Sequence, residues 1–409
     1  MPAAQLAPLL YVPDTPIFPA GPGTRPRYPL PVVREVPGEV GVLLFRAGRA
    51  AELWASVEPE QRHVLFADGA ADARVSAMRG VDIPPDLVAP LDVLSGVLTN
   101  RVECMEVARA CIAVADWAER EGYPDTALRF AHAAATGCTC WAYPAYRTGY
   151  FARKLAHRWL AKEWFARTIG RARALGEWRT HALGFIGMGN LRLDRGNLFG
   201  AREMHLKAYE SAKRHGQREM RAWALHDLIA VSVQAGATAQ LDPKASEALR
   251  HYGRTHPNVP ALAHDLAFGW LERGEARRAL HVLLALRAHQ FGPARRVVLV
   301  GNIARAAGCS GERRLFAEAL AELLSSASDT AVQDVIGAAF VSAARGAAAL
   351  GDSNHANSLA TRGLEIATDR GERKWAAAAQ AVLDGTAPPC EKGPARERDP
   401  LLRRVLACL

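Results

Sequence analysis

Apolar residues recur along this chain at intervals of three and four, the spacing of one helix face, and the two-residue alternation of half-buried strands is nearly absent. The pattern begins near Gly38 in the run VGVLLFRAGRAAELWASV and continues through short helices to Gly80. Pro84 and Pro85 then open a further helix over 85–99. From 100 to 386 the chain reads as helices of about 12–20 residues separated by glycine-containing turns. The ends differ. Residues 8–37 carry nine prolines, a density that excludes helix and favours extended backbone, so 1–37 is expected to be a proline-rich arm. Residues 387–400 read as a linker to the segment LLRRVLACL, which is amphipathic but too short to be a stable helix alone. This tail is expected to dock into a groove of its own chain or of a neighbouring copy.

Within 100–386 the turns repeat. Gly122, Gly196, Gly236, Gly274, Gly308 and Gly351 fall at intervals near 34–43 residues, with Ala156 in the slot between Gly122 and Gly196. Five places after the turn residue stand Ala127, Ala161, Ala201, Ala279 and Ala356. Seven before it stand Gly149, Gly189 and Gly301, or else Ala115, Ala267 and Ala344; twelve after it come Ala134, Ala208, Ala248 and Gly363. Small residues at fixed places let two antiparallel helices approach closely, and glycine at the turn accepts the left-handed conformation that ends a helix. The pentad Ala224-Leu225-His226-Asp227-Leu228 recurs as Leu262-Ala263-His264-Asp265-Leu266, a second echo of the repeat.

This grammar resembles the tetratricopeptide repeat (TPR) family. The best single unit is Phe185-Ile186-Gly187-Met188-Gly189-Asn190, followed by Gly196, Ala201 and Ala208. The resemblance implies an all-α, right-handed α-solenoid of antiparallel helix pairs, about seven units over 100–386, preceded by a helical segment at 38–99. It also implies a peptide or partner protein bound on the face lined by the first helix of each pair. In this register that face carries Tyr143, Tyr146, Tyr150 and Arg153 in the second unit, after Asp116 and Glu119 in the first. It continues through Asn190, then Trp223 and His226, then His264 and Phe268, and finally Arg295, Asn302 and Arg305. Asn190 and Asn302 occupy the slot where peptide-clamping members of the family place asparagine, whose amide can bond both groups of an extended backbone. Arg153 and Lys154 supply part of a carboxylate clamp but not the full set. The aromatics concentrate here too: Trp141, Tyr143, Tyr146, Tyr150, Phe151, Trp159, Trp164, Phe165 and Trp178 lie within 38 residues. Phe151, Trp164 and Phe165 suit the core, while Tyr143, Tyr146 and Tyr150 divide between core and groove.

Composition adjusts this picture modestly. The 409 residues are 49% hydrophobic and 23% charged, which excludes wholesale disorder, and no apolar run is long enough to span a membrane. The formal charge of +9 comes from 51 basic residues, only seven of them Lys, scattered among 42 acids without a run of five like charges. Solvated helix faces explain that better than nucleic acid does, and the basic residues favour an acidic peptide. An arginine-, alanine- and glycine-rich composition without a leader-like N-terminus leads us to expect a bacterial cytoplasmic protein. Catalytic motifs are missing: there is no phosphate-binding loop, no dinucleotide fingerprint, no H-E-x-x-H and no G-x-S-x-G. The repeated His-Asp pairs suggest one alternative, a metal-dependent hydrolase, but duplication places such pairs in neighbouring helices without further ligands. Cys138 and Cys140, with His132 and His157 nearby, are too tightly spaced for a common zinc knuckle and lack a second pair. Cys104 and Cys111 share a helix face and suit the core. The expectation is therefore a non-catalytic scaffold or adaptor without cofactor or metal, and next to it a peptide-sensing regulator.

Overall fold

The structure is a computed structural model that describes residues 32–66, 69–99, 102–329, 332–333, 335–387 and 399–409. Contacts divide the chain into two units, Met1–Met220 and Arg221–Leu409. Both are built from helices, and among the described residues no strand forms. The first unit holds α1 (Val32–Glu35), α2 (Gly38–Ser56), α3 (Ala70–Met78), α4 (Pro85–Gly96), α5 (Cys104–Arg120), α6 (Pro124–Gly137), α7 (Tyr143–Lys154), α8 (Arg158–Leu175), α9 (Trp178–Leu193) and α10 (Leu198–Arg214). Then α11 (Arg218–Gln234) spans the division. The second unit continues with α12 (Leu241–Tyr252), α13 (Val259–Glu272), α14 (Ala276–Leu286), α15 (Pro293–Ser310), α16 (Arg313–Ser325), α17 (Ile336–Ala349), α18 (Ser353–Asp369), α19 (Arg373–Leu383) and α20 (Pro400–Leu406). None of the described helices is long and apolar enough to cross a membrane.

One turn explains most of these boundaries. Residues Gly122, Ala156, Gly176, Gly196, Gly216, Gly236, Gly274, Gly311, Gly351 and Gly371 all have positive φ. After each, the next N–H reaches back to a carbonyl in the last helical turn, as Tyr123 does to Ala118, His157 to Ala152 and Asn197 to Arg192, at 2.7–3.0 Å. That 6→1 bond is the Schellman ending, and it satisfies carbonyls the helix leaves open. Ala156, with φ 58°, is the one non-glycine residue in this conformation among the described residues. In the sixth unit the sequence register is three residues off. Gly311, not Gly308, makes the turn, and Gly308 lies inside α15.

Gly308 serves instead at a helix crossing. A Cβ on it would lie 2.2 Å from the Gly346 carbonyl oxygen, one on Gly346 would lie 2.5 Å from the Ala304 oxygen, and one on Gly301 would meet Ala339 at 2.7 Å. So α15 and α17 touch backbone to backbone. The second-helix alanines expected to be small, Ala127, Ala161, Ala201, Ala279 and Ala356, are all buried. In the first unit the missing side chains make room for rings: Gly149 and Gly187 both face Phe165, and Gly189 faces His205.

The two expected appendages are attached to the helical units. Val32–Glu35 forms one helical turn, against the expectation of extended backbone, because the stretch between Pro31 and Pro37 retains every N–H; residues 1–31 of that arm lie outside the described residues. Glu35 then accepts hydrogen bonds from the N–H of Asp125 and of Thr126 and from the Thr126 hydroxyl, at 2.6–2.9 Å, closing the open N-terminus of α6. On α2, Glu52 holds the buried Arg129 of α6 through two hydrogen bonds of 2.6 and 2.9 Å. The C-terminal tail docks in its own chain. Leu401 and Val405 of α20 are buried, Asp399 pairs with Arg278 of α14, and His289 bonds the Leu409 oxygen at 3.1 Å.

Opposite substitutions at the two small positions should have opposite effects. Ala156→Gly relieves a left-handed alanine and should stabilise the chain by about 0.5–1 kcal/mol. Gly308→Ala must push two backbones apart and should cost about 1–3 kcal/mol. Urea midpoints of the two variants against the parent check both signs.

Candidate functional site

In each unit, the first helices of successive pairs are joined by polar side chains. In the first unit the link starts on α5. Arg147 of α7 reaches Asp116 Oδ1 at 2.6 Å and Glu119 Oε2 at 2.7 Å. Tyr150 donates its hydroxyl to Glu119 Oε1 at 2.7 Å, and the Lys154 ammonium reaches the same oxygen at 2.8 Å. Arg153 spans the next gap to Asp194, the residue that caps the C-terminus of α9, at 2.9 Å, and Arg179 pairs with Glu219 at 3.1 Å. Burial alone pushes Glu119 upward. Hydrogen bonds from Lys154, Tyr150 and Arg147 outweigh it and hold this carboxyl down at about 2.

The aromatic cluster lies along the same helix. Rings of Trp141, Tyr143, Tyr146 and Tyr150 follow one another with centroids 5.6, 5.9 and 6.3 Å apart. Tyr146 also meets Phe165 at 6.2 Å, and Arg147 covers Phe151 at 4.4 Å. Spacing at i, i+3, i+7 puts the three tyrosines on one stripe of α7, but the middle of that stripe is sealed. Tyr146 is buried, whereas Trp141, Tyr143 and Tyr150 are each partly exposed.

In the second unit the echo of the His-Asp pentad becomes a hydrogen-bonded chain. His226 Nε2 lies 3.1 Å from Asp265 Oδ2, and His264 Nδ1 lies 3.5 Å from Asp265 Oδ1. His264 Nε2 meets the Asn302 amide nitrogen at 3.3 Å, and Asn302 Oδ1 accepts from the Ser342 hydroxyl at 3.2 Å. Burial disfavours the imidazolium of His226, yet its bond to Asp265 outweighs this and raises its pKa; burial would likewise raise Asp265, but His226 and His264 hold it well below the usual carboxylate range. A parallel link joins Arg305 to Glu272, with Arg345 on the same carboxylate. Burial, with Arg345 beside it, lowers Arg305 to about 10.

These contacts sort the residues expected to bind a partner. Asn302 and Arg305 are buried, and their polar groups are spent on neighbouring helices, so they do not form an open clamp. Arg153 and Lys154, the partial carboxylate clamp, are paired with Asp194 and Glu119. Trp223, Asn190, His226, His264 and Phe268 are half-buried; Phe268 leans on Trp375 at 6.2 Å. Arg295 is exposed, over the ring of Phe291 at 5.7 Å. Arg147 and Glu272, which organise the two networks, did not fall on the sequence stripe; Arg147 stands four residues after Tyr143, a helical spacing that would have revealed it. Cys104 is not a core partner of Cys111. It is partly exposed and lies beside Cys140.

No protein-family profile matches this chain, and no curated protein matches it. Among solved structures it is similar to BtubC (BKLC) from P. vanneervenii, at 13% identity over 73% of this chain and 99% of that one, with a TM-score of 0.34. A Rap protein complexed with competence and sporulation factor is similar at 11% identity over 85% and 97%, TM-score 0.36. A circular tandem repeat protein with novel repeat topology gives 14% over 90% and 85%, TM-score 0.17. The all-α helix-pair assignment rests on the helices and turns of the chain itself.

Because Glu119 titrates lower in the folded chain than its ordinary 4.5, its contribution is complete above about pH 4.5 and fades as pH falls toward 2. Glu119→Gln should therefore cost about 1–2 kcal/mol at pH 7, allowing for its partial exposure, and little near pH 2. Urea unfolding of parent and variant across that range measures the convergence.

Proposed function

We propose that the chain is a non-catalytic scaffold that binds an extended peptide or a partner protein on the α5–α7–α9 face. The observation that carries this reading is the ring series Trp141–Tyr143–Tyr150. It is partly exposed and immobilised by Tyr146 beneath it and by Arg147, Glu119 and Lys154 beside it. Rigid aromatics give large contact area at little entropic cost, and rings already held in place lose less on binding. The rim supplies charge. The Arg153–Asp194 and Arg179–Glu219 pairs are solvent-accessible, so each holds together by only about 0–1 kcal/mol and an incoming carboxylate can compete for the guanidinium. This favours acidic ligands. Hydrolase chemistry through His226, Asp227, His264 and Asp265 has less support, since the two rings converge on one carboxylate and the chain continues into Asn302 and Ser342.

A displayed library of acidic peptides, panned on the full chain, supplies the probe. Selected peptides should lose at least about tenfold in affinity, about 1.4 kcal/mol, on the Trp141→Ala/Tyr143→Ala double variant. They should keep full affinity for Trp159→Ala, an exposed tryptophan on the second helix of the pair. Equal binding to all three proteins, each checked for an unchanged thermal midpoint, rejects this face.

A further inference from the structure

Three thiols from two places in the sequence meet at one end of the α5–α6 hairpin. Because α5 and α6 are antiparallel, Cys104, the first residue of α5, comes level with the loop that follows α6. Its Sγ lies 3.8 Å from that of Cys140, which lies 3.4 Å from that of Cys138, and all three sulfurs fall within 4.8 Å of one another. None of the three is in a disulfide. Among the described residues this is the one group of His, Cys, Asp or Glu side chains with three ligand atoms so close together. We propose that Cys104, Cys138 and Cys140 form a three-thiolate site for a soft, thiophilic d10 cation, zinc(II) or copper(I).

The spacing fits a shared ion. Metal–sulfur bonds of about 2.3 Å in a tetrahedral site set sulfurs about 3.8 Å apart, and the two separations at Cys140, 3.8 and 3.4 Å, lie at or just below that value. Thiolate sulfur is also the donor that selects zinc and copper(I) over harder ions. Access is graded: Cys138 is buried, Cys104 is half-buried and Cys140 is exposed, so an ion enters from solvent past Cys140 and is held against the helix ends. The backbone is already organised. A capping box between Glu103 and Glu106 fixes the start of α5, the Cys138 N–H is bonded to Ala134, and Glu177 accepts the Ala142 N–H at 2.9 Å, so both ends of the 138–142 loop are tied. Without an ion, cysteine thiols are mostly protonated at neutral pH. Loading is then an exchange without redox change: three S–H bonds are lost, three metal–sulfur bonds form, and three protons pass to solvent. Copper(I) is satisfied by three thiolates; zinc(II) takes a fourth ligand from solvent on the Cys140 side.

The full-length chain, reduced and freed of metal under anaerobic conditions, is titrated with cobalt(II) as a spectroscopic stand-in and then with zinc(II) or copper(I). The expected result is one equivalent per chain, a sulfur-to-cobalt charge-transfer band that either ion abolishes, and release of protons on loading. Competition with calibrated chelators shows which ion is preferred. Cys140→Ser, an exposed position that leaves folding intact, and Cys104→Ser should each weaken binding by more than the roughly 10–100-fold typical of losing an outer-shell partner. Cys408→Ser, in the tail, should change nothing. The proposal is overturned by a chain that retains no ion after desalting, by unaltered binding in the Cys104→Ser/Cys140→Ser double variant, or by a Cys138–Cys140 disulfide that resists reductant. Peptide affinity on the α7 face is measured separately, so loss of one result leaves the other standing.

Discussion

The absence of side chains where helices cross governs the remainder of this structure. Gly301, Gly308 and Gly346 bring the backbones of α15 and α17 into contact, and at that distance short side chains can bridge two helices. Ser342 reaches Asn302 at 3.2 Å for this reason. A one-methyl increase at Gly308 would meet a carbonyl oxygen, which cannot move aside as a side-chain tip can. In the first unit the same device works differently. Gly149 and Gly187 leave a slot filled by Phe165, which in turn supports Tyr146, so a glycine on one helix determines how firmly an aromatic on the next is held.

Close first helices also decide what happens to the charge. A chain of +9 spends many of its arginines on carboxylates one repeat away, as with Arg147 on Asp116 and Glu119, or Arg305 on Glu272, which Arg345 also reaches from two repeats away. Where such a cation is buried the pairing is compulsory, because an isolated guanidinium in the core would cost several kcal/mol. Arg305 is of that kind; Arg153 and Arg179 are not. The difference separates a structural ladder from a surface on which partners can be exchanged. It also explains why net charge alone said little about nucleic acid.

The fold was legible in the sequence to the extent that it depends on local backbone geometry. Left-handed residues at helix ends leave a periodic trace, clear enough that Ala156 was placed in a glycine slot from spacing alone and does adopt positive φ. The trace misled at Gly308, where the demand for glycine comes from a crossing helix and not from a turn, and composition cannot tell the two apart. Site residues were harder to place, because a stripe at i, i+3, i+7 identifies a face without fixing its rotation. On α7 the stripe is divided: Tyr146 is buried, and Tyr143 and Tyr150 stand at the rim. Asn302 was read as open from a slot counted from Gly308; the turn is at Gly311, so that slot was three residues off, and closeness of α17 buries the side chain. Cys104 could not have been joined to Cys138 and Cys140 without knowing that α5 and α6 run antiparallel with their ends level.

That last juxtaposition bears on how the aromatic face is built. Between the bonded N–H of Cys138 and that of Ala142, the loop contains only Thr139, Cys140 and Trp141. A segment this short has few conformations once both ends are tied, so fixing the Cys140 sulfur also fixes the peptide that carries Trp141. Trp141 is the outermost ring of the series that runs through Tyr143 and Tyr146 to Tyr150. The thiol cluster and the ring series are thus consecutive parts of one piece of backbone. A ligand that contacts Trp141 meets a loop whose freedom depends on whether three sulfurs are held together, and by linkage an ion at the sulfurs and a peptide at the rings would each favour the same ordered loop.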